Sequence, residues 1–147
     1  MGGIKVMADY FAQAATRHLH DAQVLCDLQR WDNAVYLAGY VVECTLKALV
    51  EIYKGKKQTR DYGHNLNKLQ ESALTELRLV SPKAATRLPK TTGTVLEKNH
   101  PGRRYAQSNL WTQSEAEKAV NRAREIHKEI IPRLVLDGLI PSEALLS

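Results

Sequence analysis

The stretch Asn33–Lys54, NAVYLAGYVVECTLKALVEIYK, decides the fold. Ala34, Val35, Leu37, Ala38, Val41, Val42, Cys44, Leu46, Ala48, Leu49 and Ile52 lack the alternation of a strand and cover most of a helix's circumference. A helix apolar on so many sides is buried by several neighbours, so this one is central to its domain. Gly39 in its interior costs about 1 kcal/mol against alanine, and its missing side chain lets another helix approach closely.

One stripe of this helix does not suit a core. Tyr36, Tyr40, Glu43 and Lys47 are spaced by four, three and four residues and so line one face. Glu43 and Lys47 form an i,i+4 pair with the acid in the favourable N-terminal position. Two readings are open: a solvated salt bridge worth tenths of a kcal/mol, about 0.3, or a semi-buried polar seam between helices. The apolar surroundings favour the seam, as an ordered structural pair before a catalytic one.

Upstream, Phe11, Ala14, Ala15, Ala22, Leu25 and Leu28 recur at helical spacing from about Ala8 to Gln29. Trp31-Asp32-Asn33 interrupts the pattern, with Asp32 or Asn33 as the natural N-cap of the central helix. Downstream, Gly55 to Gly63 reads as a Lys- and Gly-rich loop. A third helix runs from His64 or Asn65 to about Arg78, with Leu66, Leu69, Ala73 and Leu77 on one face. Ser81-Pro82 then opens a short helix to about Leu88, and Pro89 to Pro101 is irregular. The last long helix starts near Thr112 to Ser114, where Thr112 with Glu115 and Ser114 with Glu117 both fit a capping box. Pro132 marks its end or a kink. The expected architecture is an all-α, antiparallel up-and-down bundle of four to five helices over residues 8–131. The apolar tail of residues 132–147 is expected to pack on that bundle or on a second chain.

With 147 residues, 44% hydrophobic and 25% charged, the chain has the size and balance of one globular domain. No apolar run approaches the roughly 20 residues that span a bilayer, and the first seven residues lack the apolar core of a secretion signal. The expectation is a cytoplasmic protein without a membrane partner. Cys26 and Cys44 fall in helical apolar patterns with no CxxC or metal spacing, and read as buried thiols.

The net charge of +5 is unevenly spread. Between Ser81 and Tyr105, Lys83, Arg87, Lys90, Lys98, Arg103 and Arg104 face only Glu97, and Lys54, Lys56, Lys57 and Arg60 form a second knot. Clustered charge of one sign fits an anionic partner such as RNA or a nucleotide, or equally a pair of solvated loops. In Arg103-Arg104-Tyr105 two guanidinium groups suit phosphate and the ring suits stacking, with His100 upstream and Trp111 downstream. The same residues would also serve as a loop anchor. His64, at the start of a helix, reads first as a capping or packing residue, and a polar neighbour such as Glu43 would raise its functional weight. His18 and His20 lie on different faces of their helix, so no metal site is expected. No phosphate-binding Gly-rich loop and no Gly-x-Ser-x-Gly elbow occurs, and no cofactor is expected.

Taken in order, these segments resemble the HEPN domain family. The resemblance is carried by Ala22-xx-Leu25, Trp31-Asp32-Asn33-Ala34, Glu43-Cys44-Thr45-Leu46-Lys47-Ala48-Leu49, His64-Asn65-Leu66-xx-Leu69, Arg104-Tyr105 and the closing run from Glu115 to Ile126. It covers about Tyr10 to Ile131. It implies a bundle of about five helices, a homodimer with a charged cleft near its interface, and a gene pair with a minimal nucleotidyltransferase in a toxin–antitoxin arrangement. It points to Glu43, Lys47, His64, Arg103, Arg104 and Tyr105 as the set that engages nucleotide, RNA or the partner. Several branches of the family are metal-independent ribonucleases with an Arg, a gap of four to six residues, then His. No histidine follows Arg103 or Arg104 at that gap. Arg122 and His127 meet the spacing formally, as transition-state stabiliser and acid/base, but late in the last helix. A binding domain that does not cleave is therefore the first reading, a ribonuclease toxin the second and a structural interaction module the third.

Overall fold

The structure is a computed structural model that describes residues 10–98 and 100–146, without the side chains of Arg103 and Arg104. Among the described residues six α-helices follow one another: α1 (Phe11–Asp27), α2 (Trp31–Lys54), α3 (Lys56–Tyr62), α4 (Leu66–Val80), α5 (Pro82–Arg87) and α6 (Gln113–Leu136). Single 3-10 turns span Val95–Glu97, Gly102–Tyr105 and Ser142–Leu145. No strand occurs among the described residues, and no helix there is long and apolar enough to cross a membrane.

Helix α2 is the hub. It packs on α1, α4 and α6, and Ala34, Val35, Ala38, Val41, Val42, Leu46, Leu49 and Val50 are buried. Helix α1 turns directly into α2 and packs along it, which makes the two an antiparallel hairpin. Leu69, Ala73 and Leu77 of α4 and Ala119, Val120, Ala123, Ile126 and Ile130 of α6 close the same core. Cys26 and Cys44 are free and buried, and burial pushes the Cys44 thiol up to about 12.

Several helix ends follow their local chemistry. Asn65 caps α4 by accepting from the Lys68 N–H, and Ser81 caps α5 ahead of Pro82. Of the two capping boxes that the sequence allows at the start of α6, the Thr112–Glu115 one forms. Two boundaries depart from expectation. Residues 56–62 form a helix rather than a loop: Gly55, at φ +88°, redirects the chain, and the buried Thr59 donates its hydroxyl to the Gly55 carbonyl. Helix α2 begins at Trp31, so Asp32 and Asn33 lie inside it and neither is its N-cap.

Of the two readings of Pro132, an end or a kink, it does not end the helix: α6 runs through it to Leu136. Proline has no N–H, so the Lys128 carbonyl four residues back loses its helical donor. Ile131 and Leu134 are buried and keep the last turns seated. After α6 the chain folds back, and the turn Ser142–Leu145 packs against α1 and α6 with Ala144 buried.

Candidate functional site

The polar stripe of α2 is a seam. Glu43 is 4% exposed at the middle of the most apolar helix, which makes its charge costly unless it is satisfied. Three side chains do so. Lys47, one turn on, donates to Oε2 at 3.0 Å. His64 Nδ1 and His100 Nε2 each lie 2.8 Å from Oε1. A carboxylate only accepts, so each of those ring nitrogens carries the proton it donates. Burial pushes the Glu43 carboxyl up, but the hydrogen bonds from His100, His64 and Lys47 outweigh it and hold it at about 2. The result is a carboxylate ionised throughout the neutral range and held on both oxygens.

Each partner comes from a separate place in the fold. Lys47 is buried on α2, with its ammonium 5.4 Å from the centre of the Phe11 ring on α1. His64 precedes α4, whose start is fixed by the Asn65 cap, and its side chain is half exposed. His100 comes from the long segment between α5 and α6, with its side chain 2% exposed. Tyr40, one turn before Glu43, packs edge-on to His100 at 4.8 Å and to His64 at 6.0 Å between centroids, and Tyr36 meets Tyr40 at 5.2 Å. The aromatic stripe thus orients the imidazoles that the carboxylate holds.

A cleft of about 380 Å³ opens beside them. Both imidazoles line it, with Tyr62, Asn65, Asn67 and Glu97. Two residues beyond His100, the 3-10 turn Gly102–Tyr105 carries the backbone of Arg103 and Arg104 against α2, with Tyr105 80% exposed. The side chains of Arg103 and Arg104 lie outside the described residues. The far end of the same segment is tied down by Asp32, whose carboxylate accepts the Asn109 N–H at 2.6 Å and the Trp111 N–H at 3.0 Å.

Of the residues singled out from sequence, Glu43, Lys47 and His64 meet directly, and the turn bearing Arg103, Arg104 and Tyr105 starts beside them. Arg122 and His127 are not brought together within this chain. Five residues apart on a helix, they diverge by more than a quarter turn. Arg122 borders a groove with Gly93, Thr94 and Val95. His127 faces the other way and is buried, 2.9 Å from the Thr16 hydroxyl of α1, and burial pushes its pKa down. His100, read from sequence only as a neighbour of Arg103, proves the most deeply placed member of the site. Tyr40 and Asp32 also gain roles that their local sequence does not reveal. A signal for His100 does exist: a histidine in a basic loop, together with an acid on the most apolar helix.

The comparisons with known proteins agree with this architecture. The HEPN domain family model matches residues 8–134. No curated protein and no solved structure matches the chain. An all-helical bundle centred on α2, with the matched span covering most of the sequence, ties the protein to a family whose functions are nucleotide- and RNA-related. The chain belongs to the HEPN domain family.

Proposed function

We propose that this chain is a nucleotide- or RNA-binding HEPN protein rather than a nuclease, acting in the cytoplasm as a homodimer beside a minimal nucleotidyltransferase in a two-gene toxin–antitoxin-like system. The observation that carries the binding role is the cleft edged by His64 and His100, with the Arg103-Arg104-Tyr105 turn attached to the same segment. A buried carboxylate anchors both imidazoles, so the groups that would meet the ligand are held before it arrives. Two arginines adjacent in sequence to a tyrosine that is exposed suit a phosphate backbone and a base that stacks. The dimer and the nucleotidyltransferase partner rest on family membership. The ribonuclease alternative, through Arg122 and His127, has in its favour only their spacing.

The test is to present purified full-length protein with labelled single-stranded RNAs and with free nucleotides, without added metal, and to score binding and cleavage together. Saturable binding with intact RNA is expected. Absence of binding to every probe would overturn the proposal, and RNA cleavage abolished by His127→Ala would replace it with the nuclease.

A further inference from the structure

We infer that Glu43, His64 and His100 form a site for a single transition-metal dication of the Zn²⁺ type. The ligand atoms these three residues offer all lie within 4.8 Å of one another. They come from α2, the start of α4 and the segment before α6, with the histidines 21 and 57 residues from Glu43, so no local spacing announces the site. Two imidazoles and one carboxylate make a three-ligand set that leaves a fourth position open.

The geometry needs little adjustment. Donors bound to a tetrahedral ion at roughly 2.0–2.2 Å sit a little over 3 Å apart. His64 Nδ1 and His100 Nε2 are already 2.8 Å from Glu43 Oε1. An ion bonded to all three atoms would sit off the N···O lines, in the angle between the two imidazoles and Oε1. On binding, a singly protonated imidazole moves its proton to the other ring nitrogen, a doubly protonated one releases one proton to water, and either way the freed lone pair bonds the metal. Half-exposed His64, between α3 and α4, is the less enclosed of the two imidazoles. The cleft lined by both imidazoles gives the open position access to water or to a phosphate oxygen.

The surroundings also select the ion. Lys47 holds Oε2, so the carboxylate has one oxygen for the metal and is oriented by an outer partner. The ammonium repels any cation, which weighs against Mg²⁺ and Ca²⁺, ions that rely on charge and several oxygen ligands. A metal with strong bonds to imidazole overcomes that repulsion. The tyrosine and histidine rings around Tyr40 fix the remaining wall.

This site and the RNA-binding proposal fail separately, because zinc is measured without nucleic acid. Full-length protein, stripped with a chelator, is titrated calorimetrically with Zn²⁺, and its melting temperature is read with and without the ion. One ion per chain and a zinc-dependent rise in melting temperature are expected for the wild type and for His20→Ala, which changes an exposed histidine elsewhere. His64→Ala removes a half-exposed side chain and should fold. It should weaken binding by more than the roughly tenfold that loss of an outer partner causes, and should abolish the thermal rise. Glu43→Gln should do the same wherever it folds. Absence of zinc binding by the wild type, or binding by His64→Ala equal to wild type, would overturn the inference.

Discussion

His100 Nε2 lies 2.8 Å from Glu43 Oε1, with the His100 side chain 2% exposed and Glu43 on the most apolar helix of the bundle. This contact joins the long segment between α5 and α6 to the core, and so sets where the Arg103-Arg104-Tyr105 turn begins. Lys47 and His64 complete the arrangement, so the charge at its centre has consequences for stability as well as for binding.

The first consequence is for Glu43 itself. Glu43→Ala leaves the buried Lys47 ammonium without its counter-charge, and breaking a buried pair in this way costs about 3 kcal/mol. Lys47→Met should cost less, because the carboxylate keeps both histidines. Urea unfolding of the two variants measures the order, and equal losses would show that the histidines do not support Glu43.

Asp32 ties the end of the same segment to α2 through two backbone N–H groups. Asp32→Ala should cost about 1–2 kcal/mol, the range for hydrogen bonds to a charged acceptor at a partly exposed position. Amide exchange at Asn109 and Trp111 should rise ahead of exchange in α2. Unchanged protection at those amides would refute the tie.

At the start of α6, Thr112 accepts the Glu115 N–H and Glu115 reaches back to the Thr112 N–H. Thr112→Ala should therefore lower stability by about 1 kcal/mol. Ser114→Ala should change it by less than about 0.5 kcal/mol, the range for surface substitutions without such a role. Thermal melts of the two variants distinguish the caps.

Burial lowers the pKa of His127 in the folded protein, so folding favours its neutral form. Its contribution is fully present above the unfolded value of about 6.5 and is lost as pH falls through the lower folded value. Stability should fall below neutral pH with a steepness that His127→Gln reduces. His18, also lowered by burial, contributes in the same direction. An identical pH profile for the variant would show that His127 is not held neutral by the fold.

Much of the bundle is legible in the sequence because its signal is periodic. Apolar spacing locates α1, α2, α4 and α6, and Asn65, Ser81 and Thr112 mark starts through side chains that bond the first free N–H groups. Helix α3 is not legible, because seven mostly polar residues following Gly55 have no apolar face to betray them. Asp32 misleads for a physical reason: a carboxylate near a helix start accepts backbone N–H groups, and here it takes them from residues 109 and 111 instead of from its own helix. For the site, the i,i+4 spacing exposes Glu43 with Lys47, and the helix start draws attention to His64. His100 reaches Glu43 across 57 residues, a separation that no local pattern encodes.

In the proposed binding mode an anionic nucleic-acid ligand docks where His64 and His100 meet the Arg103-Arg104-Tyr105 turn. The decisive measurement is fluorescence anisotropy of a labelled single-stranded RNA, comparing wild type with the double variant Arg103→Ala, Arg104→Ala over a series of salt concentrations. The variant should bind more weakly and show a shallower dependence of log affinity on log salt, by about 0.7 for each phosphate that is no longer neutralised. Equal affinity and equal slope for the two proteins would rule out that binding mode.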